Sequence, residues 1–144
     1  MLKRGNLSTT STVGFLHATG WFLGSREYGS YLNFAVVDTT ATEYNLTMPI
    51  SPLFDSGTWH HIAITRNNNM LRLFFDGVLQ DSKAITTSFQ APVLPLIINA
   101  IWNGSTYANF ANNAYYDELR ITNGVARYTA NFTPPTNPFP DDGD

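Results

Sequence analysis

The chain has 144 residues, three histidines, no cysteine and a formal net charge of −3. That length suits one domain with its own core, and the lack of thiols excludes disulfides, thiol catalysis and cysteine-based zinc sites. The acidic balance leaves no basic footprint for nucleic acid and no polybasic patch for anionic lipid.

Only 13% of the residues are charged, against 14% aromatic, and Thr and Asn are abundant. This composition favours strands and turns over helices. No apolar run reaches the roughly 20 residues of a membrane span. The opening stretch, MLKRGNLSTTSTVGFLHATG, has a basic start but no continuous apolar region, so it does not read as a signal peptide.

Short apolar alternations broken by Asn, Gly, Pro and Asp predict strands at 20–24, 31–38, 43–48, 60–66, 71–75, 78–85, 94–100 and 115–121. No helical spacing is sustained between them, so an antiparallel sandwich or barrel follows. Within SGTWHHIAITRNNNMLRLFFDG, His60, Ile62, Ile64 and Arg66 share one face of a strand, and Trp59, His61, Ala63 and Thr65 share the other. Asn67, Asn68 and Asn69 supply turn residues tolerant of left-handed backbone. Asp76-Gly77 is a strong hairpin signal. The stretch is thus most of a three-stranded meander.

Adjacent strand residues face opposite ways, so His60 and His61 are poorly placed to hold one metal. The expectation is one histidine packed inside and hydrogen-bonded, and one outside. After residue 121 the chain becomes a Pro-rich extended segment ending in Asp141, Asp142 and Asp144. The sandwich is assigned to residues 1–133, and an extended Pro-rich acidic tail to 134–144. DDGD lacks the ligand spacing of an EF-hand.

Two stretches carry a resemblance. GTWHHIAITRNNNMLRLFFDGVLQD, residues 57–81, resembles the central meander of the laminin-G-like, concanavalin A-like family. YYDELRITNGVARYTANFTPPTNPFP, residues 115–140, resembles the closing strand and tail of a branch common in bacteriophage and bacterial surface proteins. The resemblance implies an all-β, antiparallel jelly-roll β-sandwich. LKRGN at 2–6 and GWFLGSREYGSYLNFAVV at 20–37 resemble segments that follow an opening strand in the family. The sandwich is therefore expected to lack its usual first strand or strands. The gap is to be filled by the chain's own NLSTTSTVGFLHATG segment or by a neighbouring chain through β-augmentation. The fold alone implies no function.

Chemistry is sparse. Glucanases of this fold use closely spaced acids in an E-x-D-x-E arrangement, which sets two carboxyls roughly 5–5.5 Å apart. The three glutamates here, Glu27, Glu43 and Glu118, do not form it, and no GxSxG elbow exists. Asp117 and Glu118 are adjacent; the resemblance implies a structural use of this pair in closing the sheet. Some family members bind calcium at the sandwich rim through an Asp and loop carbonyls. No ligand set aligns here residue by residue, so rim calcium stays an alternative to having no cofactor.

The best binding candidate is the polar, aromatic-spaced loop WNGSTYANFANN, with Trp102, Asn103, Tyr107 and Asn109 as ligand-contacting residues. Its aromatics either turn inward and pin the loop, or contact a glycan or a protein. Four N-glycosylation sequons, at Asn6, Asn45, Asn103 and Asn131, arise readily by chance in such a composition. The expected function is a non-enzymatic structural and interaction module, a phage virion component of the capsid-decorating or tail-associated kind. Its partners would be other virion proteins or copies of itself in an oligomer or larger assembly. The alternative is a glycan-binding domain of a viral or bacterial surface protein, extracellular and bound to cell-surface glycan.

Overall fold

The computed structural model describes residues 2–4, 13–18, 20–26, 31–50, 57–91, 95–102, 105–108 and 114–139, and every regular element among them is a strand. In chain order these are β1 (Leu2–Arg4), β2 (Val13–Ala18), β3 (Trp21–Arg26), β4 (Tyr31–Val37), β5 (Glu43–Pro49), β6 (Trp59–His60), β7 (Ile62–Asn67), β8 (Met70–Phe75), β9 (Val78–Ala84), β10 (Ile97–Ile98), β11 (Ile101–Trp102), β12 (Tyr107–Ala108) and β13 (Ala114–Tyr116). All pairings are antiparallel.

The meander is the part most directly dictated by sequence. β7 and β8 pair from Ile62↔Phe75 to Asn67↔Met70. Their turn uses Asn68 and Asn69, both at positive φ (48° and 61°). β8 joins β9 through Asp76 (φ 48°) and Gly77 (φ 79°), the two left-handed residues that a tight hairpin turn requires. The ladder slips by one residue between Leu73↔Asp81 and Phe74↔Leu79, which leaves Gln80 as a bulge.

A five-stranded sheet, ordered β10-β2-β3-β4-β5, faces this meander. Leu23, Leu32, Phe34, Val36, Leu46, Met48 and Ile50 come from its side, and Leu71, Leu73, Phe75 and Ile85 from the other, to form one buried cluster. The alternation along β4 and β8 sends these side chains inward from both layers, as in a sandwich. At one end Arg66 closes the core. Its Nη2 donates to the carbonyls of Ile85 (2.8 Å) and Thr87 (2.6 Å), and its guanidinium lies 4.3 Å over the Phe89 ring.

β2, inside the segment offered to fill the N-terminal gap, pairs with β3 on one side and β10 on the other. β1 sits between β13 and β6. Both strands are short or interrupted, with a register shift between Gly14 and Leu16 in β2, so alternation alone did not reveal them. Two expected strands are shorter than read. The 94–100 run keeps only β10, with residues 92–94 outside the described residues. The 115–121 run stops at Tyr116, because Glu118 adopts a left-handed φ of 53° that breaks an extended chain.

Candidate functional site

The loop singled out in the sequence is described only in part. β11 and β12 form a two-stranded ribbon in which Trp102 and Tyr107 are register partners. Asn103 and Asn109 lie outside the described residues. The structure thus brings the backbones of two of the four candidates opposite each other.

The paired histidines are structural, but not as expected. Both are buried, His60 at 8% and His61 at 7% exposure. His60 Nδ1 lies 2.8 Å from Asp76 Oδ2, and its ring stacks on Phe75 at 4.8 Å. Asp76 Oδ1 accepts from the His61 backbone N–H (2.8 Å), and the Asp76 N–H donates back to the His61 carbonyl (2.8 Å). A His–Asp couple of this kind can orient a general base; here the histidine is buried, the Asp76 side chain is 43% exposed, and the couple ties a hairpin turn to the break between β6 and β7. One of the two was expected outside; neither is, because the face that His61 presents is covered by the chain's C-terminal segment. Its ring meets Phe132 edge-on at 5.4 Å and Tyr128 at 5.9 Å. Burial holds its imidazole below the ordinary value of 6.5, with Asp76 opposing.

The covering segment, residues 117–139, has neither helix nor strand, yet it is anchored to the sandwich at three points and tied to itself at a fourth. Thr65 Oγ1 donates to the Tyr128 carbonyl (2.7 Å). The Phe132 N–H donates to the Gly77 carbonyl (2.9 Å). The Leu79 N–H donates to Asn131 Oδ1 (2.9 Å), and the Phe139 N–H to Glu118 Oε2 (2.6 Å). Tyr128 and Phe132 stack at 3.6 Å, and Phe132 closes edge-on over the fully buried Phe74. The approach is tightest at Gly77. A Cβ there would collide with the Phe132 carbonyl oxygen and come within 3.1 Å of Pro134 Cδ. Glu118 ties the two ends of this segment together, and Asp117 Oδ1 accepts from the N–H of Glu118 (2.9 Å).

This strap shapes an open groove of about 530 Å³, within the size range of small-ligand sites. Its walls include Arg120, Arg127, Tyr128, Pro135, Asn137 and Phe139. The Arg120 guanidinium lies 3.8 Å over the Phe139 ring. Arg127 Nε donates to Thr122 Oγ1 (3.3 Å). Nearby, Leu119, Ile121 and Val125 are exposed.

One acid that sequence reading passed over is Asp38, buried at a loop between β4 and β5. Oδ1 accepts from Thr40 N (2.8 Å), Thr40 Oγ1 (2.6 Å) and Thr42 N (2.9 Å). Oδ2 accepts from Thr87 Oγ1 (2.6 Å) and Tyr44 OH (3.3 Å). The Thr40 hydroxyl, then that of Thr87, holds the carboxyl well below the usual carboxylate range. The readable signal was Asp followed by Thr at the second and fourth positions, an Asx-turn pattern. With both oxygens taken by protein donors, Asp38 is poorly suited to a rim cation. Among the described residues no group of three or more His, Asp or Glu gathers for a metal.

No curated protein and no solved structure matches the chain. A laminin G-type family model does match, over residues 2–128, a span running from β1 through the meander and into the strap. With that match and this two-layer antiparallel architecture, the chain belongs to the concanavalin A-like lectin/glucanases superfamily.

Proposed function

We propose that this domain is a non-enzymatic interaction module that works through its surface. The observation that carries the reading is the use made of its acids. Asp38 is saturated by five donors, Asp76 is held by both histidines, and Glu118 ties the two ends of the strap together. None is paired with a second carboxyl across a cleft, the arrangement that glycoside hydrolysis requires.

The closing motif at 115–140 supports a setting in a phage virion, as a capsid-decorating or tail-associated protein, with other virion proteins or further copies of the chain as partners. The exposed Leu119, Ile121 and Val125 are suited to such contacts. A second reading, a glycan-binding domain of a viral or bacterial surface protein, is favoured by the groove with its arginines and aromatic rings. The test combines sedimentation over a wide concentration range, a glycan array, and an assay for new reducing ends from bound polysaccharide. Self-association without array signal supports the assembly reading. Array signal without new reducing ends supports the lectin reading. Release of reducing ends would contradict both.

A further inference from the structure

We infer that the strap groove binds a carboxylated sugar, with Arg120 as the residue that receives the carboxylate. The inference rests on the glycan-binding reading and adds the ligand class. Arg120 is half-buried, and its guanidinium carbon lies over the Phe139 ring, 3.8 Å from the centroid. Phe139 is itself fixed by the bond from its N–H to Glu118 Oε2. Stacking occupies the face of a guanidinium and leaves its edge donors available. Among the described residues, no acceptor takes a hydrogen bond from Arg120. A planar fork of donors held in this way matches a carboxylate in two parallel bonds.

The surroundings decide what carries that carboxylate. Pro135, Phe139 and Tyr128 offer apolar faces, and Asn137 offers an amide, a set that fits a sugar ring's C–H faces and hydroxyls. A densely sulfated polymer fits less well. The chain's formal charge is −3, and two arginines in one groove do not make a polycation track. Three acids, Asp141, Asp142 and Asp144, follow the groove in sequence, so the test includes a chain without them.

The test is titration calorimetry at low salt with tetragalacturonic acid. Its probes for comparison are a neutral galactose tetramer and a tetraglutamate peptide. The proteins are the full chain and a variant lacking residues 141–144. Tetragalacturonate should bind at least one of the two proteins, with the neutral sugar and the peptide weaker. Arg120→Gln should lower affinity at least about tenfold. Phe139→Leu, which removes the stack but keeps an apolar wall, should lower it about two- to fivefold. Asn137→Asp places a charge on an exposed position with little risk to folding and should abolish binding. Melting curves for each variant separate these losses from unfolding. Equal binding of the neutral tetramer, unchanged by Arg120→Gln, would overturn the groove assignment and leave a glycan-binding domain. Tight binding of the peptide alone would overturn the sugar assignment. Silence of both proteins to every sugar would overturn the inference and the glycan-binding reading together.

Discussion

The meander β7-β8-β9 and the strap at 117–139 lie against each other but are held by different physics. The meander is a ladder. Its backbone groups pair strand to strand, and its side chains alternate into a core shared with the facing sheet. The strap has no ladder. It is fastened by one isolated backbone bond, by side chains that reach backbone groups and by a cluster of rings, each aromatic pair contributing about 0.5–1.5 kcal/mol. A ladder leaves a period in the sequence; a strap fastened at separate points leaves none. That difference explains why the meander was legible in the sequence and the strap's docking was not.

The largest expected effect comes from breaking the meander. Leu73 is fully buried in the shared core, and Leu73→Ala should cost about 2–5 kcal/mol. A denaturant melt should report one transition for the whole domain. If the strap's rings lose their signal well before the sheet in the wild type, the two regions are not coupled as described.

Gly77→Ala tests the contact between the regions. The left-handed backbone alone costs about 1–2 kcal/mol for a residue with a side chain, and the added methyl must displace the Phe132 carbonyl. Lower stability together with new protease cutting between Tyr128 and Phe139 is the expected result. A variant with the same loss but an uncut strap would mean that the strap accommodates the methyl in place.

Acid should act in two steps. The His61 imidazole is held below 6.5 in the folded state, chiefly by burial. As pH falls the unfolded chain takes up the proton first, so stability is complete above about 6.5 and declines below it. Asp38 has its carboxyl lowered from 3.8. It stays ionised in the folded state while the unfolded chain protonates, so a further loss begins below about 3.8. Urea melts against pH should show both steps, and His61→Gln should remove the upper one alone. The persistence of that upper step in the variant would assign it to another group.

The smallest effect belongs to the exposed edge of the strap. Ile121 is 66% exposed, and Ile121→Ser should change stability by about 0.5 kcal/mol or less. Any change in sedimentation should appear without a change in melting temperature.

The limits of legibility follow from the same contrast. Asn68, Asn69, Asp76 and Gly77 announced their turns, because few residues tolerate positive φ. The histidine faces were read correctly from alternation. What covers the His61 face comes from residues more than sixty positions later, and no local pattern reports that. The groove was missed for this reason: its walls come from 120–128 and 135–139, brought together by Glu118 and Phe139. The aromatic loop at 102–113 attracted attention because rings spaced through Asn and Gly look like a site. Arg120 gave no such signal, since its only described partner is a ring nineteen residues away.

The most direct test of the central claim is amide hydrogen exchange at three backbone positions, Leu79, Phe132 and Phe139. Their acceptors are the Asn131 side chain, the Gly77 carbonyl and the Glu118 carboxylate. A strap that is an integral part of the domain predicts protection at all three, approaching that of the β8 amides. Exchange at unprotected rates for Phe132 and Phe139, with β8 still protected, would show a detached tail and contradict the account.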